Sequence, residues 1–262
     1  MTLQRLLVSL LLCVTTLAAL AQPTQTVVDI PSRPGVTERL LVVSPPAARG
    51  SVLLLAGGHG GLQIQSGGGM KWGDGNFVVR TRRPFADRGL RVAVLDAPSD
   101  RQTAPFLAGF RQTPEHVADI RAAIAWLRSQ GPGPVWLVAT SRGTQSAAHA
   151  AIELADAGGP DGLVLTSTIL SDSRGRPVPA MALERLRIPV LVVHHDQDGC
   201  SHCAPADLPA LTGRLSGASR SETMMVSGGE SRGDPCEAFA FHGFNGIEAE
   251  VVGRIVDWMQ LP

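Results

Sequence analysis

Apolar residues in this chain come in short, nearly unbroken runs bounded by glycine, proline or polar turns. Ser51–Ala56, Arg91–Leu95, Val135–Ala139, Gly162–Ser167 and Ile188–His194 are runs of this kind. They are short for helices and do not alternate, which is the pattern of strands buried on both faces of a sheet. Thr26–Ile30 and Glu38–Val43, separated by Pro31–Gly35, read as two further strands, and Glu222–Val226 as another. Segments of helical period lie between them. Thr113-Pro114 opens the clearest, since threonine is a good N-cap and proline suits the first helical position. Val117, Ile120, Ile124 and Leu127 then keep one face apolar. Phe77–Arg88, ended by Gly89, is expected to be helical despite Pro84, as are the Ala-rich stretch after Gly143, Ala206–Leu215 and Gly246–Met259. Strands alternating with helices predict an α/β protein with a mostly parallel sheet covered on both faces. No internal repeat or long linker interrupts the pattern, so a single domain is expected over residues 22–262.

The start of the chain is set apart. Met1–Arg5 is short and positive, Leu6–Leu20 is almost wholly apolar, and Ala19-Leu20-Ala21 gives a small-x-small cleavage site before Gln22. This predicts a signal peptide at residues 1–21, its apolar run too short for a comfortable membrane span. The expected route is Sec export to a periplasm or the medium, with no membrane association after cleavage. The 23 basic and 23 acidic residues balance, so no net field draws nucleic acid as a partner. Export matters for Cys200, Cys203 and Cys236, which stay in the mature chain, in a compartment where disulfides persist. Three thiols allow one bridge in three possible pairings.

The candidate chemistry begins where Val135–Ala139 runs into Thr140-Ser141-Arg142-Gly143 and an Ala-rich helix. A strand that breaks sharply into a helix lifts a serine above the sheet in a strained, exposed turn. The usual pattern is G-x-S-x-G, and Ala139 stands at its first position here. Gly57-Gly58-His59-Gly60-Gly61 follows the run Ser51–Ala56. Asp198 lies just past Ile188–His194, and His242 lies between the last strand and the last helix. Serine, aspartate and histidine thus occur in that order, each beyond the C-terminal end of a strand. In a parallel sheet those ends share one edge, where such sheets bind ligands. A serine nucleophile needs a base, and the base an orienting acid.

On these residues the chain resembles the α/β-hydrolase family, over roughly Ser51 to Trp258. The resemblance implies an eight-stranded, mostly parallel sheet with helices on both faces. It implies Ser141 as nucleophile, His242 as general base and then acid, and Asp198 as the orienting acid. It also implies an oxyanion hole built from the Arg142 N–H and one amide of Gly57–Gly60, Gly58 first and His59 second. The expected reaction is hydrolysis of a carboxylic ester, small or part of a flexible polymer, through an acyl-enzyme; peptidase and thioesterase chemistry fit the same residues. No cofactor or metal is expected. Ser171–Arg187 is too short for a large helical cap, leaving at most the Gly-rich loop Leu62–Asn76, with Met70 and Trp72, over the site.

Several alternatives stay open at this level. Asp196 is a second candidate acid, and His59 a candidate pocket-lining residue. His116 and His149 fall on predicted helices as surface or packing residues, and His195 is expected to be structural. A Cys200–Cys236 bridge would tie the acid loop to the histidine loop, stabilising the fold by about 3–4 kcal/mol in the chain-entropy model and leaving Cys203 free or buried. Zinc accepts Cys, His and Asp, so the cluster from His194 to Cys203 offers a rival, zinc-dependent reading. Against it, adjacent His194 and His195 point to opposite faces on a strand. Cys200-Ser-His-Cys203 also has the spacing of a redox C-x-x-C. A non-catalytic binding protein of the same fold is the remaining rival.

Overall fold

The computed structural model describes residues 22–173 and 175–261; the predicted signal peptide, residues 1–21, lies outside them. In chain order the main elements are β1 (Thr24–Arg33), β2 (Val36–Ser44), β3 (Ser51–Leu55), α1 (Phe77–Arg80), α2 (Arg82–Asp87), β4 (Arg91–Leu95), α3 (Pro114–Ser129), β5 (Val135–Thr140), α4 (Gly143–Glu153), β6 (Gly162–Thr166), β7 (Val190–His195), α5 (Leu208–Thr212), β8 (Ser221–Val226) and α6 (Glu248–Met259). The strands form one sheet in the order β1-β2-β4-β3-β5-β6-β7-β8. The β1–β2 and β2–β4 pairs are antiparallel and the rest parallel, as the uninterrupted apolar runs predict.

Side-chain alternation along each strand divides the core between the two faces of the sheet. Leu53, Leu137 and Leu165 pack with Ile120 and Ile124 of α3 and the alanines of α4. Val52, Leu54 and Val138 face the other way, against Phe77, Phe85 and the α6 residues Val252 and Ile255. Every residue of β3, β5, β6 and β7 is buried. Thr113 caps α3 as expected, its side chain accepting the His116 N–H. Among the described residues no helix is long and apolar enough to cross a membrane.

Two predicted helices are shorter than expected, and proline accounts for both. Phe77–Arg88 breaks at Thr81, because Pro84 cannot donate to the carbonyl four residues back and its ring crowds that carbonyl. Thr81 Oγ1 turns back to donate to Phe77 O at 2.7 Å. Ala206–Leu215 contains Pro209, and the segment becomes a 3-10 turn at Pro205–Asp207 followed by the short α5. β1 instead runs longer than expected, through Pro31, with an irregularity between Pro31 and Arg33. A strand at the sheet edge tolerates a missing N–H.

Candidate active site

Ser141 occupies the turn between β5 and α4 with φ of +51°, in the left-handed region. A non-glycine residue there stores strain that its surroundings must hold. The holding is done by Ser141 N–H, donating to Thr166 O on β6 at 3.1 Å, and by Thr144, whose N–H and Oγ1 both bond Ser141 O, at 2.9 and 2.6 Å. Gly143 is required: a Cβ there would lie 2.2 Å from Leu55 O. Ala139 is tolerated because its methyl points into the core beside α4 and is fully buried.

β7 carries Asp198 to the same sheet edge. Asp198 Oδ2 lies 2.9 Å from His242 Nδ1, and Oδ1 accepts the Cys200 N–H at 2.9 Å. Both side chains are buried. An imidazole donating Nδ1–H to a carboxylate keeps a lone pair on Nε2, and His242 Nε2 has no hydrogen-bond partner among the described residues. Asp196 is half exposed and sits by His195 instead, with Oδ1 3.2 Å from Nδ1. His242 is held from three sides. Ser167 Oγ donates to His242 O at 2.6 Å, Arg80 Nη2 donates to Gly243 O at 2.6 Å, and the Phe241 ring stacks on His195 at 4.4 Å.

Ser141 and His242 line one cavity of about 520 Å³, with Gly58, Trp72, Arg142 and Ala238 among its other walls. Gly58 has φ of +55°, and a Cβ on it would lie 2.3 Å from the Trp72 ring. The turn after β3 therefore needs glycine at this position. His59 does not line this cavity; its ring is sandwiched between Trp72 at 3.9 Å and Phe106 at 4.5 Å, with Nδ1 accepting the Gly61 N–H. Burial, and then the nearby Arg111, hold its imidazole below the ordinary range. Arg142 caps the start of α4, where helix geometry provides no carbonyl for the first amides. Its side chain pairs with the buried Asp172 at 2.7 Å.

No protein-family model matches the sequence, and no curated protein matches it. Solved structures do match over nearly the whole chain. A cold-adapted esterase from an Arctic intertidal metagenomic library, 17% identical, covers 91% of this chain and 93% of its own, with a TM-score of 0.58. An α/β serine hydrolase without a lid from Xanthomonas campestris is 18% identical over 92% and 96%, with a TM-score of 0.53. An esterase of Pyrococcus furiosus is 11% identical over 91% of each chain, with a TM-score of 0.64. The chain has the α/β-hydrolase fold.

Within that fold the cysteines pair as Cys200–Cys236, two residues past Asp198 and six before His242. Cys203 is a buried thiol donating to Ser167 O at 3.3 Å, and burial pushes its pKa well up. The zinc reading finds no donor set in the His194–Cys203 stretch. His194 Nε2 accepts the Thr168 N–H at 2.8 Å, His195 Nε2 meets Gly228 O at 2.8 Å, and the Cys200 sulfur is in the disulfide. Cys200, Cys203 and His242 do bring ligand atoms within 4.8 Å of one another, but a disulfide sulfur offers no thiolate.

Two residues that shape the candidate site escape a reading by motif. Arg111, a buried side chain, donates from Nη2 to Ala56 O, Gly57 O and Gly58 O at 3.1–3.3 Å and from Nη1 to Ser146 Oγ at 3.0 Å. With its carbonyls turned to Arg111, the glycine turn is fixed in orientation. Asp96 accepts the amides of Leu62 and Gln63 on Oδ1 and of Ile64 on Oδ2, at 2.7–3.0 Å. The Gly-rich loop is thus pinned at its root, and an Ile64–Met70 bridge closes it on itself. His116, expected as a surface or packing residue, is buried and bonds Ser146 Oγ through Nε2 at 3.0 Å.

Proposed function

We propose that this protein is a serine hydrolase that cleaves carboxylic esters, as a single domain over residues 22–262. The observation that carries the reading is the strained Ser141 facing one cavity with His242, whose Nδ1 is 2.9 Å from Asp198. Ser141 Oγ attacks the ester carbonyl as His242 Nε2 takes its proton, and the carbonyl oxygen becomes an oxyanion. The N–H groups of Arg142 and Gly58 receive that charge, each worth roughly 3–4 kcal/mol in the transition state. On collapse, the C–O bond to the alcohol breaks and His242 passes its proton to the departing alkoxide. Water then adds to the acyl-serine, losing a proton to His242, and the free acid leaves as Ser141 is reprotonated. Asp198 holds the ring in the Nδ1–H tautomer and stabilises the imidazolium.

Esterases and hydrolases among the proteins of this fold that the chain matches support the assignment. A small or flexible polymer ester suits the cavity, which has the pinned Gly-rich loop beside it rather than a helical cap. The Cys200–Cys236 bridge fits export led by residues 1–21 as a signal, because oxidising compartments preserve disulfides. The test is labelling of the mature protein with a fluorophosphonate. Wild type should label and Ser141→Ala should not. A folded wild type that neither labels nor cleaves any 4-nitrophenyl ester would overturn the proposal and favour a binding role.

A further inference from the structure

A second cavity, of about 470 Å³, adjoins the first and shares Gly58 and Arg142 with it. Its walls come from four separate segments, the first being the turn after β3 with Gly58 and His59. Arg111 and Gln112 lie before α3, Arg142 and Gln145 at the start of α4, and Asp172 and Arg176 after β6. Neither Ser141 nor His242 lines it.

Its charges do not balance. Three guanidinium groups meet one carboxylate, and that carboxylate is committed: Asp172 is buried under Arg142 at 2.7 Å and also accepts from Gln145 Nε2. Arg111 has no carboxylate within 4 Å among the described residues; its partners are three backbone carbonyls and a hydroxyl. Arg176 is held by neutral groups. Its Nε donates to Gln112 Oε1 at 3.0 Å, Nη2 lies 3.4 Å from His149 Nδ1, and its backbone carbonyl accepts from both Gln112 and Gln145. These bonds fix an exposed guanidinium at the cavity wall, with its charge unmatched by any carboxylate within 4 Å among the described residues. A concave surface with excess positive charge concentrates anions, and a pre-positioned guanidinium fork fits a carboxylate.

We infer that this second cavity binds a carboxylate carried on the acyl part of the substrate, so that the preferred esters are half-esters of dicarboxylic acids. The inference rests on the esterase reading, and the chemistry of that reading assigns the two ends. The departing alcohol must take its proton from His242 Nε2, so it lies in the first cavity. The oxyanion sits over Gly58 and Arg142, the two residues common to both cavities. The remaining substituent of the carbonyl carbon, the acyl chain, is the one that passes into the second cavity. Turnover is then ordinary hydrolysis: half-ester and water give alcohol and dicarboxylic acid, with Ser141 carrying the carboxy-acyl group between the two steps.

The test compares 4-nitrophenyl esters of adipic, pimelic and suberic acids with the same esters bearing a terminal carboxamide in place of the carboxylate. In wild type at low salt, kcat/KM for at least one carboxylate ester should exceed that of its carboxamide twin tenfold or more. The ratio should fall as salt rises. Arg176→Gln should bring it close to one, and Arg176→Glu below one. A wild-type ratio at or below one, or a ratio unmoved by both variants, overturns the subsite while leaving the esterase reading intact. Calorimetric titration of adipate, pimelate and suberate into the wild type tests the cavity without chemistry. Binding that weakens about tenfold in Arg176→Gln supports the subsite even if no ester is cleaved, an outcome that would overturn the esterase reading alone. No heat with any of the three diacids overturns the subsite.

Discussion

Along the sheet edge, Ser141 is flanked on one side by the turn after β3 and on the other by the loops after β7 and β8, and the two flanks are fixed by different means. The acid–histidine flank is held by groups beside the residues they position. Cys200, two residues past Asp198, is joined to Cys236 and also donates its N–H to the carboxylate. The flank proposed to carry the oxyanion hole has no covalent tie among the described residues. A buried arginine from before α3 grips its carbonyls, and a buried aspartate from the end of β4 grips the amides of the loop beyond. A disulfide fixes two points of chain and leaves peptide orientation free. A guanidinium donating to three successive carbonyls fixes which way the peptides face, and an oxyanion hole depends on that.

The largest expected effect is on the acid–histidine flank. Asp198→Asn keeps the shape but favours the wrong imidazole tautomer, so kcat on 4-nitrophenyl acetate should fall about 10⁴-fold with little change in KM. Asp196→Asn should stay within about twofold, since its carboxylate is half exposed and among the described residues pairs with His195 alone. If Asp196→Asn proves the worse of the two, the acid has been misassigned.

On the other flank, Arg111→Met removes the clamp, and 4-nitrophenyl acetate, whose acyl group carries no carboxylate, reports that loss apart from the second cavity. A misdirected Gly58 amide amounts to loss of one oxyanion donor, about 10²–10³-fold in kcat. KM should move little, and Arg111→Lys should recover part of the loss because an ammonium can still donate to the carbonyls. A variant that loses thermal stability but keeps kcat would make Arg111 a packing residue only.

These two flanks were unequally legible in the sequence. Ser141, Asp198 and His242 announce themselves because each follows a recognisable strand, and a parallel sheet brings strand ends together. The Cys200–Cys236 pairing was legible for the same reason, as both cysteines sit within a few residues of those positions. Arg111 and Asp96 carry no such mark. Arg111 lies in an irregular stretch where an arginine is ordinarily solvated, and Asp96 reads as turn material. Their roles depend on which backbone groups a distant turn leaves unpaired, and that is decided only once tertiary structure forms. The shortened helices have a visible cause in Pro84 and Pro209, whose missing N–H outweighs the apolar period around them.

Removing the covalent tie gives the next effect in size. Cys200→Ser with Cys236→Ser should lower unfolding free energy by about 3–4 kcal/mol, from the loop entropy restored to the unfolded chain. A mild reductant should lower the Tm of wild type and leave the double variant unchanged. In Arg111→Met the reductant should still lower Tm by the full amount, because the two devices share no atoms. Equal Tm for reduced and oxidised wild type would mean that the bridge positions without stabilising.

The smallest effect separates the flanks by pH. Each has a buried neutral histidine: His116, bonded through Ser146 to the Arg111 clamp, with its pKa lowered to about 3 by burial and then by Arg111, and His194, beside the acid loop, lowered to about 4 by burial. Arg111 donates to Ser146 Oγ, which leaves the hydroxyl proton for His116 Nε2, and His194 Nε2 accepts the Thr168 N–H. Either ring loses its acceptor if Nε2 is protonated. A folded pKa below the unfolded one means the unfolded chain binds the proton first. The stability held above pH 6.5 is therefore lost as pH falls, by at most about 1.4 kcal/mol per unit for each ring. Glu38, raised well above its ordinary range by burial, works in the opposite sense as pH rises, so the comparison is made between variants. Measured by denaturant unfolding, the advantage of wild type over His194→Gln should shrink from pH 6.5 and level near pH 4. Its advantage over His116→Gln should keep shrinking to about pH 3. Parallel curves at all pH values would show that neither ring is held neutral by its neighbours, and the acid sensitivity would then belong to groups common to both flanks.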